Sequence, residues 1–116
     1  LFSDKDNRAS SAYINAINSK GAVVFTSQNK FRGTAYTDDR YYDTDIVVYR
    51  LGEVKLLEAE LLCYLGGDNV QKAIDAMFAT RNRAGIGAYT GSTVQKVVQK
   101  EILDERGREL CFESRF

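Results

Sequence analysis

Four glutamates, Glu101, Glu105, Glu109 and Glu113, recur at four-residue spacing near the end of the chain. On a helix that spacing stacks them in one row, where like charges repel mildly, so neutralising cations must come from other elements. Two chemistries are open to such a row. Glu105 and Glu109 would act as a general acid and base, as in a glycosidase, if they lined an open cleft. If they are buried instead, each needs a partner, because an unpaired buried carboxylate is costly and the arginine fork can serve two carboxylates at once. The row shares its face with Val98 and Phe112, and no aromatic subsite lies nearby in sequence. The second chemistry is therefore expected: a structural ion network of Glu58, Arg81, Glu105 and Glu109, with Arg50 and Arg83 as further bridges and no catalytic residue.

Other nucleophiles and bases are scarce. The 116 residues contain no histidine, which removes the commonest general base, the Ser-His and Cys-His pairs and most transition-metal sites. Cys63 and Cys111 each fall inside an expected helix and read as packed thiols rather than as a disulfide framework. Asp38, Asp39, Asp43 and Asp45 lack the spacing and the glycine of a calcium loop. No cofactor or metal is expected.

The elements that must carry these side chains are marked by their punctuation. Residues 1–45 read as an irregular segment with a short helix near Arg8 to Asn18 and a β-rich run at Val23-Val24-Phe25-Thr26. From residue 46 the apolar period becomes 3.6, and three helices follow. The first runs from Ile46 to Leu65 and stops at Gly66-Gly67. Asp68 caps the second, which ends at Gly85, and the third runs from Val94 to Phe112. The short linker forces an antiparallel hairpin about the length of a tetratricopeptide-type unit. The fold class is thus mainly α: a tetratricopeptide-like hairpin plus a third helix, after a partly β segment. Projected at 3.6 residues per turn, the stripes expected to form the core are Val47, Leu51, Val54, Leu61, Leu62 and Leu65 on the first helix and Val70, Ala73, Ile74 and Met77 on the second. Val94, Val97, Val98, Ile102 and Phe112 complete them on the third.

Composition narrows the function classes. The length suits one domain, and 44% hydrophobic residues supply a modest core. Sixteen Lys+Arg balance sixteen Asp+Glu without a long run of one sign, which argues against a nucleic-acid partner. Apolar runs such as Ile46-Val47-Val48-Tyr49 fall far below the roughly 20 residues that cross a bilayer. The start, Leu1-Phe2-Ser3, carries no initiator methionine or signal-like segment, so an export signal is expected to lie outside the chain.

Three ordered blocks resemble the SusD/RagB family of nutrient-binding outer-membrane lipoproteins. They are Tyr49-Arg50-Leu51-Gly52-Glu53-Val54 with Glu58-Ala59-Glu60-Leu61, then Ala73-Ile74-Asp75 with Arg81-Asn82-Arg83-Ala84-Gly85, and finally Ile102-Leu103-Asp104-Glu105-Arg106-Gly107-Arg108-Glu109-Leu110-Cys111-Phe112-Glu113. The likeness covers residues 45–116, with little from residues 1–29. Gly52, Lys55 and Phe78 depart from the family's usual residues, and the end stops where the family pattern continues, so the chain is expected to be either part of a larger domain or a divergent short member. The resemblance implies capture of a polysaccharide or oligosaccharide at the cell surface, lipid-anchored on the outer membrane, for a SusC-like TonB-dependent transporter, without cleavage. Under it, Tyr36, Arg40, Tyr41 and Tyr42 are the ligand-binding candidates, by stacking and hydrogen bonding to sugar; the tyrosines equally suit packing beneath a long connection. The rival reading is a generic helical-repeat module for protein–protein interaction. With only one and a half helical repeats present, self-association through the open end is also expected.

Overall fold

Gly66 and Gly67, at φ 69° and 56°, take the left-handed backbone that other residues avoid and reverse the chain between two long helices. The computed structural model describes residues 1–31, 33–37, 39–41 and 43–113; the side chains of residues 35, 36, 39 and 40 lie outside that description. Its elements are α1 (Arg8–Ala12), β1 (Tyr13–Ile17), β2 (Val23–Gln28), β3 (Ala35–Tyr36), β4 (Asp39–Arg40), α2 (Leu51–Leu65), α3 (Asn69–Arg83) and α4 (Gln95–Glu109). The chain is mainly helical, with short antiparallel strands before the long helices, as expected. It divides into two compact units, Leu1–Arg8 with Tyr49–Phe116, and Ala9–Val48. Residues 1–8, grouped in sequence with the irregular segment, are thus placed with the helices.

In the second unit β1 and β2 form a hairpin in register from Tyr13 opposite Gln28 to Ile17 opposite Val23, with an irregularity after Ala16. Asn18 builds its turn by accepting the Lys20 and Ala22 backbone N–H groups on Oδ1, both at 3.0 Å, while Gly21 supplies φ 78°. The helix expected to reach Asn18 stops at Ala12, because Tyr13, Ile14 and Ile17 favour extended backbone over helix. β3 and β4 make a second, two-residue pairing.

In the helical unit α2 starts at Leu51, five residues later than expected. The β-branched run Ile46-Val47-Val48 resists helix, and Arg50 is still extended at φ −141°. Asp68 does not cap α3 with its side chain; the Asn69 amide instead donates to the Gly66 carbonyl at 3.2 Å. The other end of α3 closes as a Schellman motif, with the Gly85 N–H on the Asn82 carbonyl and the Ile86 N–H on the Arg81 carbonyl. Residues 5–7 pack against that end: the Asn7 N–H donates to the Ala84 carbonyl at 2.9 Å, and a Cβ on Gly85 would lie 2.7 Å from the Asn7 amide. α4 begins one residue later than expected and ends at Glu109; the Gln95 side chain at its start donates to the Cys63 carbonyl at the end of α2.

The core joins Leu56, Ala59 and Cys63 of α2, Val70, Ala73, Ile74 and Met77 of α3, and Val98 and Ile102 of α4. The α3 stripe is the one expected. On α2 the expectation is corrected: Leu51, Val54, Leu61 and Leu65 are exposed, and Glu53, Leu56, Ala59 and Cys63 face inward. α2 is apolar on two sides, and the small Ala59 and Cys63 let α3 and α4 approach the side with less aliphatic bulk. Val94, Val97 and Phe112 are likewise exposed rather than packed. Cys63 and Cys111 are both free thiols; Cys63 is buried, which raises its pKa, and Cys111 is half-buried.

Candidate functional site

Past the last apolar layer of the helical unit, α4 carries charge into the interior. Glu105 and Glu109 are 0% and 1% exposed, directly following Val98 and Ile102 on the same helical face. The guanidinium between them comes from Arg8, itself buried. Its Nη1 donates to Glu105 Oε1 at 2.7 Å and to Glu109 Oε2 at 3.1 Å; its Nη2 and Nε reach Asp6 at 2.7 and 2.9 Å. Asp6 also accepts the Arg8 backbone N–H at 3.0 Å, so the Asp-x-Arg pair closes on itself before it docks.

Around this centre the remaining arginines complete the carboxylates. Arg50, just before α2, bonds Glu109 through Nη1, the Glu109 carbonyl through Nη2, and Glu113 at 2.7 and 2.9 Å. Arg83 at the end of α3 reaches the same Glu109 oxygen as Arg50. Arg108 links Glu105 at 3.0 Å to Glu101 at 2.8 Å. Gly52 makes room for this packing, since a Cβ there would lie 2.8 Å from Arg50 Nη1 and 2.9 Å from Glu109 Oε1.

The electrostatics follow from that count of donors. Burial pushes the Glu109 carboxyl up, but the hydrogen bonds and charges of Arg50 and Arg83 outweigh it and hold the pKa below the ordinary range. Burial acts the same way on Asp6 and is likewise outweighed, by the Arg8 side chain and backbone. Burial would lower Arg8 and Arg50, yet their carboxylate partners raise both. The arrangement neutralises carboxylates rather than poising one to exchange a proton with a substrate. Both catalytic candidates, Glu105 and Glu109, are sealed from solvent with their oxygens committed to guanidinium donors.

Two members of the expected network sit elsewhere. Arg81 is well covered, but its Nη1 meets Glu101 at 2.7 Å and its Nε the Gly87 carbonyl at 3.1 Å, with its guanidinium carbon 5.9 Å from the centre of the Tyr89 ring. It serves the carboxylate one turn before Glu105. Glu58 is corrected outright: it is exposed and pairs with Lys55 at 2.8 Å, because two residues beyond Leu56 the helix has turned away from the core. Arg8 and Asp6 were not anticipated. The only local signal for them is an acidic and a basic residue two apart, in a stretch without helical period.

Of the sugar-contact candidates, Tyr42 and the side chains of Tyr36 and Arg40 lie outside the described residues. The backbones of Tyr36 and Arg40 belong to the β3–β4 pairing, and Tyr41 is 54% exposed, its N–H on the Thr34 carbonyl at 2.9 Å. Asp43, one of the four clustered aspartates, accepts the Thr34 backbone N–H at 2.8 Å and hydroxyl at 2.7 Å; these bonds lower its pKa.

Beside the network the helical unit opens a cleft of about 460 Å³, lined by Phe2, Lys5, Arg81, Ile86, Glu101 and Arg108 among others. Among the described residues no helix is long and apolar enough to cross a membrane. A comparison with protein-family models matches residues 3–116 to the SusD family, reaching well upstream of the blocks that carry the resemblance in sequence. No curated protein and no solved structure matches the chain.

Proposed function

The chain belongs to the SusD family, and from that membership we propose that it is part of a surface protein capturing polysaccharide or oligosaccharide for a SusC-like TonB-dependent importer. Binding without cleavage, lipid anchoring and residence at the outer membrane belong to the same reading. The family match over residues 3–116 is the observation that carries it. The buried Glu/Arg network supports a scaffold role for the helices, because every charge it spends on holding α4 to residues 6–8 and 50 is withdrawn from chemistry.

Within this chain we place sugar contact at the β3–β4 pairing and Tyr41, whose exposed ring offers a stacking face. The test is a glycan array followed by calorimetry on the positive sugars, with reducing ends assayed in parallel. The expected outcome is saturable binding with unchanged sugar, weakened at least fivefold by Tyr41→Ala. Release of shorter products would overturn the binding reading; wild-type affinity in Tyr41→Ala would remove the loop from it. The open apolar side of α2 favours a second reading, a helical module for protein partners, and that reading gains if no glycan binds.

A further inference from the structure

Residues 9–48 form a compact unit of their own, and the stretches on either side of them, Leu1–Arg8 and Tyr49–Phe116, together form the other. Each boundary falls beside an arginine, and both arginines grip one carboxylate. Arg8, the last residue before the enclosed unit, donates from Nη1 to Glu109 Oε2 at 3.1 Å. Arg50, just after it, donates from Nη1 to Glu109 Oε1 and from Nη2 to the Glu109 carbonyl at 2.6 Å. Because each arginine takes its own oxygen, a single carboxylate serves both without competition. The chain therefore leaves the helical unit and returns to it at the same buried side chain, which is 1% exposed.

The entry side is anchored beyond Glu109 as well. The Asn7 N–H donates to the Ala84 carbonyl at the end of α3, and Arg8 reaches Glu105 at 2.7 Å while Asp6 aligns its guanidinium. All of these groups belong to residues 1–8 or to the helices, so the anchorage is complete without any residue of the enclosed unit. On the exit side residues 43–49 are exposed and lie in neither helix nor strand. Closing a loop costs entropy that grows only with the logarithm of its length, so a clamp at the base tolerates wide changes in what it encloses.

We propose that Arg8, Glu109 and Arg50 form a clamp that makes residues 9–48 an inserted module: the shared carboxylate fixes both ends to the helices, and residues 1–8 stay docked whether or not the chain between is continuous. A module mounted in this way can move or alter its own fold while the helices stay folded. The clamp is a property of the scaffold and does not depend on nutrient capture.

Cutting the chain at the exit tests this. A protease recognition sequence inserted between Ile46, which is 92% exposed, and Val47 lets the full chain fold first and be cleaved afterwards. Cleavage turns the docking of residues 1–8 into an association of two pieces and removes the effective concentration that the connection supplied. The expected result is that both pieces elute together from a sizing column at micromolar concentration and that the helices melt as in the uncut chain. Arg8→Lys keeps the charge but loses the fork that reaches Asp6, Glu105 and Glu109, so it should weaken the association about tenfold or more. Asn18→Ala loosens the β1–β2 turn inside the module and should leave the association unchanged. Separation of the wild-type pieces, helices that unfold once cut, wild-type association in Arg8→Lys, or an equal loss in Asn18→Ala would each overturn the proposal. Should Arg8→Lys fail to fold before cleavage, the wild-type and Asn18→Ala arms decide by themselves.

Discussion

Arg8 is held by three carboxylates that are themselves buried, and that fixes what its loss does. Arg8→Ala leaves Asp6 and Glu105 short of their central partner in a site with little water, and breaking a buried pair by removing one side costs about 3–5 kcal/mol. Arg81→Ala should cost less, about 1–2 kcal/mol, because Glu101 is 24% exposed and keeps Arg108. Urea unfolding of both variants checks the order; equal losses would mean that Arg8 is not the centre of the network. Glu105 and Glu109 could be read from sequence, since charge inside an apolar stripe announces a partner. Which arginine answers could not, because Arg8 lies outside any periodic segment and more than ninety residues away.

α2 shows why helices are easier to find than to orient. Its C-terminal end was legible from the two glycines, though its start was read five residues early; a helix apolar on opposite sides also gives the projection two answers, and the bulkier leucines named the wrong one. The core chose Leu56, Ala59 and Cys63, where small side chains permit close approach. Leu56→Ala should therefore cost about 2–4 kcal/mol, while Leu61→Ala should stay within about 0.5 kcal/mol in dilute solution. The reverse order in thermal melts would restore the phase read from sequence. Gly52→Ala is a sharper probe of the same helix. Alanine at an open helical site gains roughly 0.5–1 kcal/mol over glycine, but here the added Cβ meets Arg50 and Glu109 inside 3.0 Å. The expected outcome is a net loss of about 1 kcal/mol, and a gain would show that the network yields without penalty.

For the whole molecule, the network ties stability to pH. Asp6 and Glu109 have folded pKa values below their ordinary 3.8 and 4.5, so the native state favours their ionised forms more strongly than the unfolded chain does. Their contribution is complete above those ordinary values and is lost as pH falls through the lowered ones, where protonation removes the charge that Arg8, Arg50 and Arg83 neutralise. Stability should be flat from neutral pH down to about 5 and decline below about 4.5. Salt should change it little, since buried pairs are weakly screened. Arg50→Gln gives the decisive comparison: it removes the strongest of the contacts that lower Glu109, so burial gains ground and the acid-unfolding midpoint moves to higher pH. Fluorescence-monitored acid titrations of the two proteins measure that displacement. An unchanged midpoint would mean that the carboxylate at the heart of the helical unit does not govern its acid limit.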